Sequence, residues 1–167
     1  MNINKKPCIE EINITYNEYV KTDIDKETKN NIFIFDGMKM KDWNSLFDKF
    51  KKTLHFPSYF SYNKDSFEEC LSDLDEWLST PIYILFITNS NKLLINENNY
   101  KEEYKELIDI FDDVCFEYHQ KDMEEKYPFR VLLSNTQTIA QSSIKNNTLN
   151  SPIKGEGIPD DFFKKEK

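Results

Sequence analysis

Seven residues, Ile82-Tyr83-Ile84-Leu85-Phe86-Ile87-Thr88, constrain this chain more than any other stretch. Six apolar residues in a row, with Thr80-Pro81 before them and Asn89 after, do not alternate as a strand with one wet face would. They predict a short strand covered on both faces, the habit of parallel sheets. Ile32-Phe33-Ile34-Phe35, ended by Asp36-Gly37, and residues 129–133 repeat the signal more briefly. Between these runs the period changes. Residues 41–54 place Trp43, Leu46, Phe47 and Phe50 at i, i+3, i+4 and i+7, the apolar stripe of a helix packed on a sheet. Residues 100–120 do the same with Tyr104, Leu107, Ile108, Phe111, Val114 and Cys115. A further helix is expected from about Lys64. Strand, helix, helix, strand, helix, strand predicts an α/β layer of three mainly parallel strands packed with helices.

That domain is expected over residues 31–134. Residues 1–30 form an N-terminal extension. Within it, residues 8–20 alternate at Ile12, Ile14 and Tyr16, which suggests a strand added at a sheet edge, and residues 21–30 are a polar connector. Residues 124–126 read as a turn. Residues 135–167 are polar and aperiodic up to Ile158-Pro159-Asp160-Asp161-Phe162-Phe163; a flexible tail is expected, with that last segment docking back or binding elsewhere. Thirteen Phe and nine Tyr supply enough apolar surface for a core.

Charge narrows the function. Of the net −8, residues 31–134 carry −8 while the two flanks cancel, so neither nucleic acid nor an anionic membrane is an expected direct partner. Residues 1–11 hold no long apolar run, so no signal peptide or membrane helix is expected there. Three cysteines without metal-ligand spacing suit a reducing, cytoplasmic setting, with Cys70 and Cys115 read as small buried apolar residues. His55 and His119 neighbour no plausible nucleophile, and three glycines make no phosphate loop. Asp73, Asp75 and Glu76 match no cation-binding loop. No catalytic residue, metal or cofactor is expected, so the chain is read as a non-enzyme.

Residues 57–74 then stand out. On a helix from Lys64, Phe67, Cys70, Leu71 and Leu74 share one side, and Asp65, Glu68, Glu69 and Asp73 the other. Six acids and no Lys or Arg lie between Asp65 and Glu76. Like charges at i, i+3 and i+4 oppose an isolated helix by a few tenths of a kcal/mol per pair, roughly. Two readings stand at this point: a merely solvated acidic surface with Asn63 as its N-cap, or a face shaped for a basic partner.

Tyr59-Phe60-Ser61-Tyr62-Asn63-Lys64-Asp65-Ser66-Phe67-Glu68-Glu69-Cys70-Leu71 resembles the signature of the barstar family, small intracellular inhibitors of barnase-type ribonucleases. The family pattern runs aromatic pair, Gly, any, Asn, any, Asp, small, two residues, acid, any, Leu; His55-Phe56-Pro57 resembles its lead-in. Ser61 stands where the family has glycine, and Glu69 where it has Asp. The resemblance implies Tyr59 as the aromatic that packs on the partner, Asn63 as a polar neighbour, and Asp65 and Glu69 as acids that enter a ribonuclease cleft. A further acid on the long helix falls on Asp113, beside Asp112; Glu68, where the family often has an aromatic, is left out. The implied partner is a basic nuclease toxin, bound by an immunity protein that is a monomer when free. A binding module with a non-nuclease partner is the alternative, and a metal-dependent enzyme using the acidic cluster a weaker one.

Overall fold

The computed structural model describes residues 8–22, 29–121 and 128–136. The elements run β1 (Ile9–Ile12), α1 (Tyr16–Val20), β2 (Ile32–Asp36), α2 (Trp43–Leu54), α3 (Lys64–Ser72), β3 (Tyr83–Thr88), α4 (Tyr100–Gln120) and β4 (Phe129–Ser134). One sheet in the order β1-β4-β3-β2 holds all four strands, every neighbouring pair parallel. The apolar runs of the sequence are its three right-hand members. All six residues of β3 and all six of β4 are buried, as their lack of alternation requires.

The two sheet faces differ. Phe35, Tyr83, Leu85, Ile87, Phe129, Val131 and Leu133 point to the face covered by α2, α3 and α4, and there the main core forms around Phe50, Phe67 and Phe111. Ile82, Ile84, Phe86 and Leu132 point the other way into a small cluster. Tyr16 and Tyr19 of α1 close that cluster, their ring centroids 5.6 and 5.5 Å from Phe86. Gly37 follows β2 where a Cβ would run into the Asn89 carbonyl, so this one close approach needs glycine.

The N-terminal extension holds both agreement and correction. The edge strand exists, with Ile9 opposite Val131 and Ile12 opposite Ser134. It stops at Ile12, however, where alternation predicts a strand as far as residue 20. Thr15 and Glu18 form a reciprocal capping box that starts α1 instead. Two satisfied backbone donors outweigh an alternation carried by three residues. The cysteine reading also changes. Cys115 is bonded to Cys8, 107 residues away, rather than being a solitary buried thiol, because β1 on the edge of β4 brings Cys8 over α4. The pairing removes the argument from cysteine count for a reducing compartment. Cys70 is buried and free, as expected.

Between β3 and α4 the chain makes a short 3-10 turn over Ser90–Lys92. The turn expected at 124–126, most of the polar connector and the tail beyond Thr136 lie outside the described residues. Thr136 itself is tied down, its carbonyl accepting from Asn89 N–H at 2.9 Å. Among the described residues no helix is long and apolar enough to cross a membrane.

Candidate protein-binding face

The acidic helix is fastened at both ends and bare along its outer side. At its start, Asn63 Oδ1 accepts from Ser66 N–H at 2.8 Å. Lys64 then reaches across to α4, its Nζ 2.8 Å from Glu103 Oε1 and 2.9 Å from Glu106 Oε1, while lying over the Trp43 ring. Trp43 Nε1 donates to the same Glu103 oxygen at 2.7 Å. These two hydrogen bonds, Lys64 first, hold the Glu103 carboxyl below its usual range. At the far end, the buried Tyr118 hydroxyl donates to the Leu71 carbonyl at 2.8 Å and accepts from Leu74 N–H at 3.1 Å. Phe67, Cys70 and Leu71 press the inner side of α3 into the core.

What remains outside is the face the spacing predicts. Tyr59, Asn63, Asp65, Glu69 and Asp113 are all exposed. Tyr59 is 53% accessible, a large apolar surface held out in water. Its phenol is pushed up, by burial first and then by Cys70, Asp73, Glu69 and Glu76, which sets it beside the acids at the outer end of the helix.

Glu68 supplies the link to α4. Its carboxyl is raised, first by burial, then by the charge of Asp113, then by Asp65 and Glu117. Asp65, Asp113 and Glu117 are therefore each within electrostatic reach of Glu68; sequence reasoning leaves out Glu68 and Glu117. The signal for them was present in the i, i+3 step from Asp65 to Glu68 and the i, i+4 step from Asp113 to Glu117. Which faces of α3 and α4 meet is what the sequence does not display.

The loop before α3 solves the missing glycine locally. Ser61 is not among the positive-φ residues; the left-handed position falls on Tyr62, at φ 54°. Ser61 N–H donates to Ser66 Oγ at 3.0 Å, and Ser61 Oγ to the Tyr59 carbonyl at 3.1 Å. Left-handed backbone is unfavourable for a bulky residue. Tyr62 is held there by Phe60, whose ring lies 4.9 Å away, by Lys51 over its face, and by a hydrogen bond from its hydroxyl to Asp48. Beside it a cleft of about 470 Å³ runs between Trp43, Phe47 and Tyr62, with Lys64, Asp65 and Glu106 also lining it.

Chemically this face presents carboxylate acceptors and aromatic surface, the complement of guanidinium and ammonium groups. Among the described residues, no group of three or more His, Cys, Asp or Glu is gathered to hold a metal ion. The fold and face together define a class: a small parallel α/β domain with an exposed acidic helix on its surface. A family model described as Barstar (barnase inhibitor) matches residues 30–134, more than half of the chain. The chain belongs to the barstar family, whose members are inhibitors rather than enzymes and whose partners are barnase-type ribonucleases. No curated protein matches it.

Proposed function

We propose that this chain is a stoichiometric inhibitor of a ribonuclease toxin, an immunity protein that covers the basic active site of its partner with α3. Asp65 and Glu69 enter the cleft, where they stand in for substrate phosphates toward Arg and Lys. Tyr59 packs as the apolar anchor, Asn63 adds a polar contact beyond its capping bond, and Asp113 is a secondary acid from α4. The observation that carries this reading is the bare single-sign face of α3: a helix fastened by Lys64 and Tyr118, whose exposed acids have no basic neighbour within ion-pair distance among the described residues. Charge-assisted contacts to such acids give an interface its orientation and speed of encounter. A producing cell makes its toxin in the cytoplasm, and the inhibitor meets it there, a monomer until it binds.

Barnase is the probe. Equimolar chain should abolish RNA cleavage, and Asp65→Ala or Glu69→Ala should restore it. Cleavage by barnase and by a panel of other barnase-type ribonucleases unaffected at a hundredfold excess of the chain would remove the ribonuclease part and leave a binding module for another basic protein.

A further inference from the structure

Little holds β1 in place. It pairs with β4 over four residues, and Val131 N–H donates to the Cys8 carbonyl at 2.8 Å. Arg130 Nη2 lies 2.9 Å from Glu10 Oε1, and Ser134 Oγ donates to the Ile14 carbonyl at 2.8 Å. None of residues 8–22 is fully buried, and α1 has five residues. A segment with so little buried surface belongs to the low-stability end of a fold.

The exception is Cys8, bonded to Cys115 with a Cα–Cα distance of 6.2 Å, inside the range that a disulfide spans without moving backbone. Cys115 is buried on α4, 3% accessible, whereas Cys8 is half-buried at the start of the strand. Of the two partners, Cys8 is therefore the more accessible to a soluble thiol. Cys8 Sγ also lies 3.1 Å from the Phe129 carbonyl oxygen, an acceptor for its S–H once the bond is open. Both oxidation states have a partner.

We infer that Cys8 and Cys115 are a reversible oxidation site, a latch whose state decides whether β1 and α1 stay on the sheet. A small-molecule or protein thiolate attacks Cys8 Sγ, forming a mixed disulfide and expelling the Cys115 thiolate, which takes up a proton. A second thiol attacks the external sulfur, leaves as the external disulfide, and frees Cys8 as a thiol. Two electrons and two protons pass to the protein; a disulfide oxidant reverses the sequence. With the latch open and β1 displaced, β4 becomes the sheet edge, and Phe86 loses the cover of Tyr16 and Tyr19. Cys70 does not compete for the bond: it is buried, and its thiol is pushed up to about 11 by burial and then by Glu69 and Asp73. Nothing in this latch requires a nuclease partner.

The full chain is equilibrated with oxidised glutathione or with dithiothreitol, denatured, alkylated with N-ethylmaleimide and weighed intact. The oxidised chain should take one adduct, at Cys70, and the reduced chain three. A closed loop of 107 residues implies a fall in Tm of about 10 °C on reduction. Amide exchange at Val131 and Leu133, on the side of β4 that faces β1, should quicken at least about tenfold, while Leu132, whose N–H faces β3, serves as the internal control. Cys8→Ser, at a half-buried position, should take two adducts under both conditions, at Cys70 and Cys115, and match the reduced chain in Tm and exchange. Three adducts from the oxidised chain would overturn the latch, and so would one adduct with Tm and β4 exchange indifferent to reduction.

Discussion

At the scale of the residue, the proposed role of α3 separates Asp65 and Glu69, assigned to the partner's cleft, from Glu68, which has acidic neighbours in the fold. Asp65 and Glu69 lie one helical turn apart, so both carboxylates reach one small cationic patch. In a barnase titration by calorimetry, Asp65→Ala and Glu69→Ala should each lose about 2–5 kcal/mol, the range for buried interfacial charges, barnase–barstar pairs among them. Asp75→Ala, an exposed acid beyond the helix, should lose under about 0.5 kcal/mol. Equal small losses in all three would return the face to a solvated surface. Glu68 tests the electrostatics without a partner. Its carboxyl is raised in the folded chain, so ionisation opposes folding: its contribution is whole below the unfolded value and lost as pH rises through the folded one. Glu68→Gln should therefore raise Tm at pH 7 by about 1 °C, for like-charge pairs of a few tenths of a kcal/mol, and change nothing near pH 3. A gain that persists at the lower pH would point to propensity rather than charge.

At the scale of the element, α3 is held in place by groups that are not part of its exposed face. Tyr118 closes its C-terminal end from α4 with two hydrogen bonds in a buried site. Tyr118→Phe leaves the Leu71 carbonyl and Leu74 N–H without that partner, and should cost about 1–3 kcal/mol. Thermal unfolding should then show Tm lower by about 3–8 °C. Tyr100→Phe, at an exposed position on the same helix, should leave Tm within about 1 °C. The capping box of α1 makes the same point from the opposite side. Thr15 and Glu18 are legible in the sequence as a helix start, yet the alternation of Ile12, Ile14 and Tyr16 is a competing signal over the same residues. Local hydrogen bonding decided the conflict.

At the scale of the whole molecule, charge acts beyond any one contact. The acidity lies in residues 31–134, so on the proposed function a basic partner would be drawn to these residues before it is oriented on α3. Raising ionic strength from about 0.01 to 0.15 M shortens the screening length from about 30 to 8 Å. Association with barnase, followed by stopped-flow fluorescence, should slow at least about tenfold over that range while dissociation changes little. A rate indifferent to salt would show that the net charge plays no part in the encounter.

The limits of the sequence follow from the range of the forces it displays. Periodicity reports local burial, and so the runs at 32–35, 82–88 and 129–133 and the stripe through Trp43, Leu46, Phe47 and Phe50 were enough to determine the parallel sheet and the helices on it. The single-sign side of α3 was equally plain, because i, i+3 and i+4 neighbours are set by helix geometry alone. Contacts between elements have no such local record. Cys8 meets Cys115 only because β1 pairs with β4 rather than β2, and because α4 turns that side of its surface toward the sheet. Glu68 meets Asp113 and Glu117 only because α3 and α4 pack at one particular rotation. Tyr62 takes the left-handed position that Ser61 does not, since Phe60, Lys51 and Asp48 gather around its ring. The first two depend on residues far apart in the chain and the third on how the loop before α3 packs back on α2; each approach is decided by the packing of the core rather than by local periodicity.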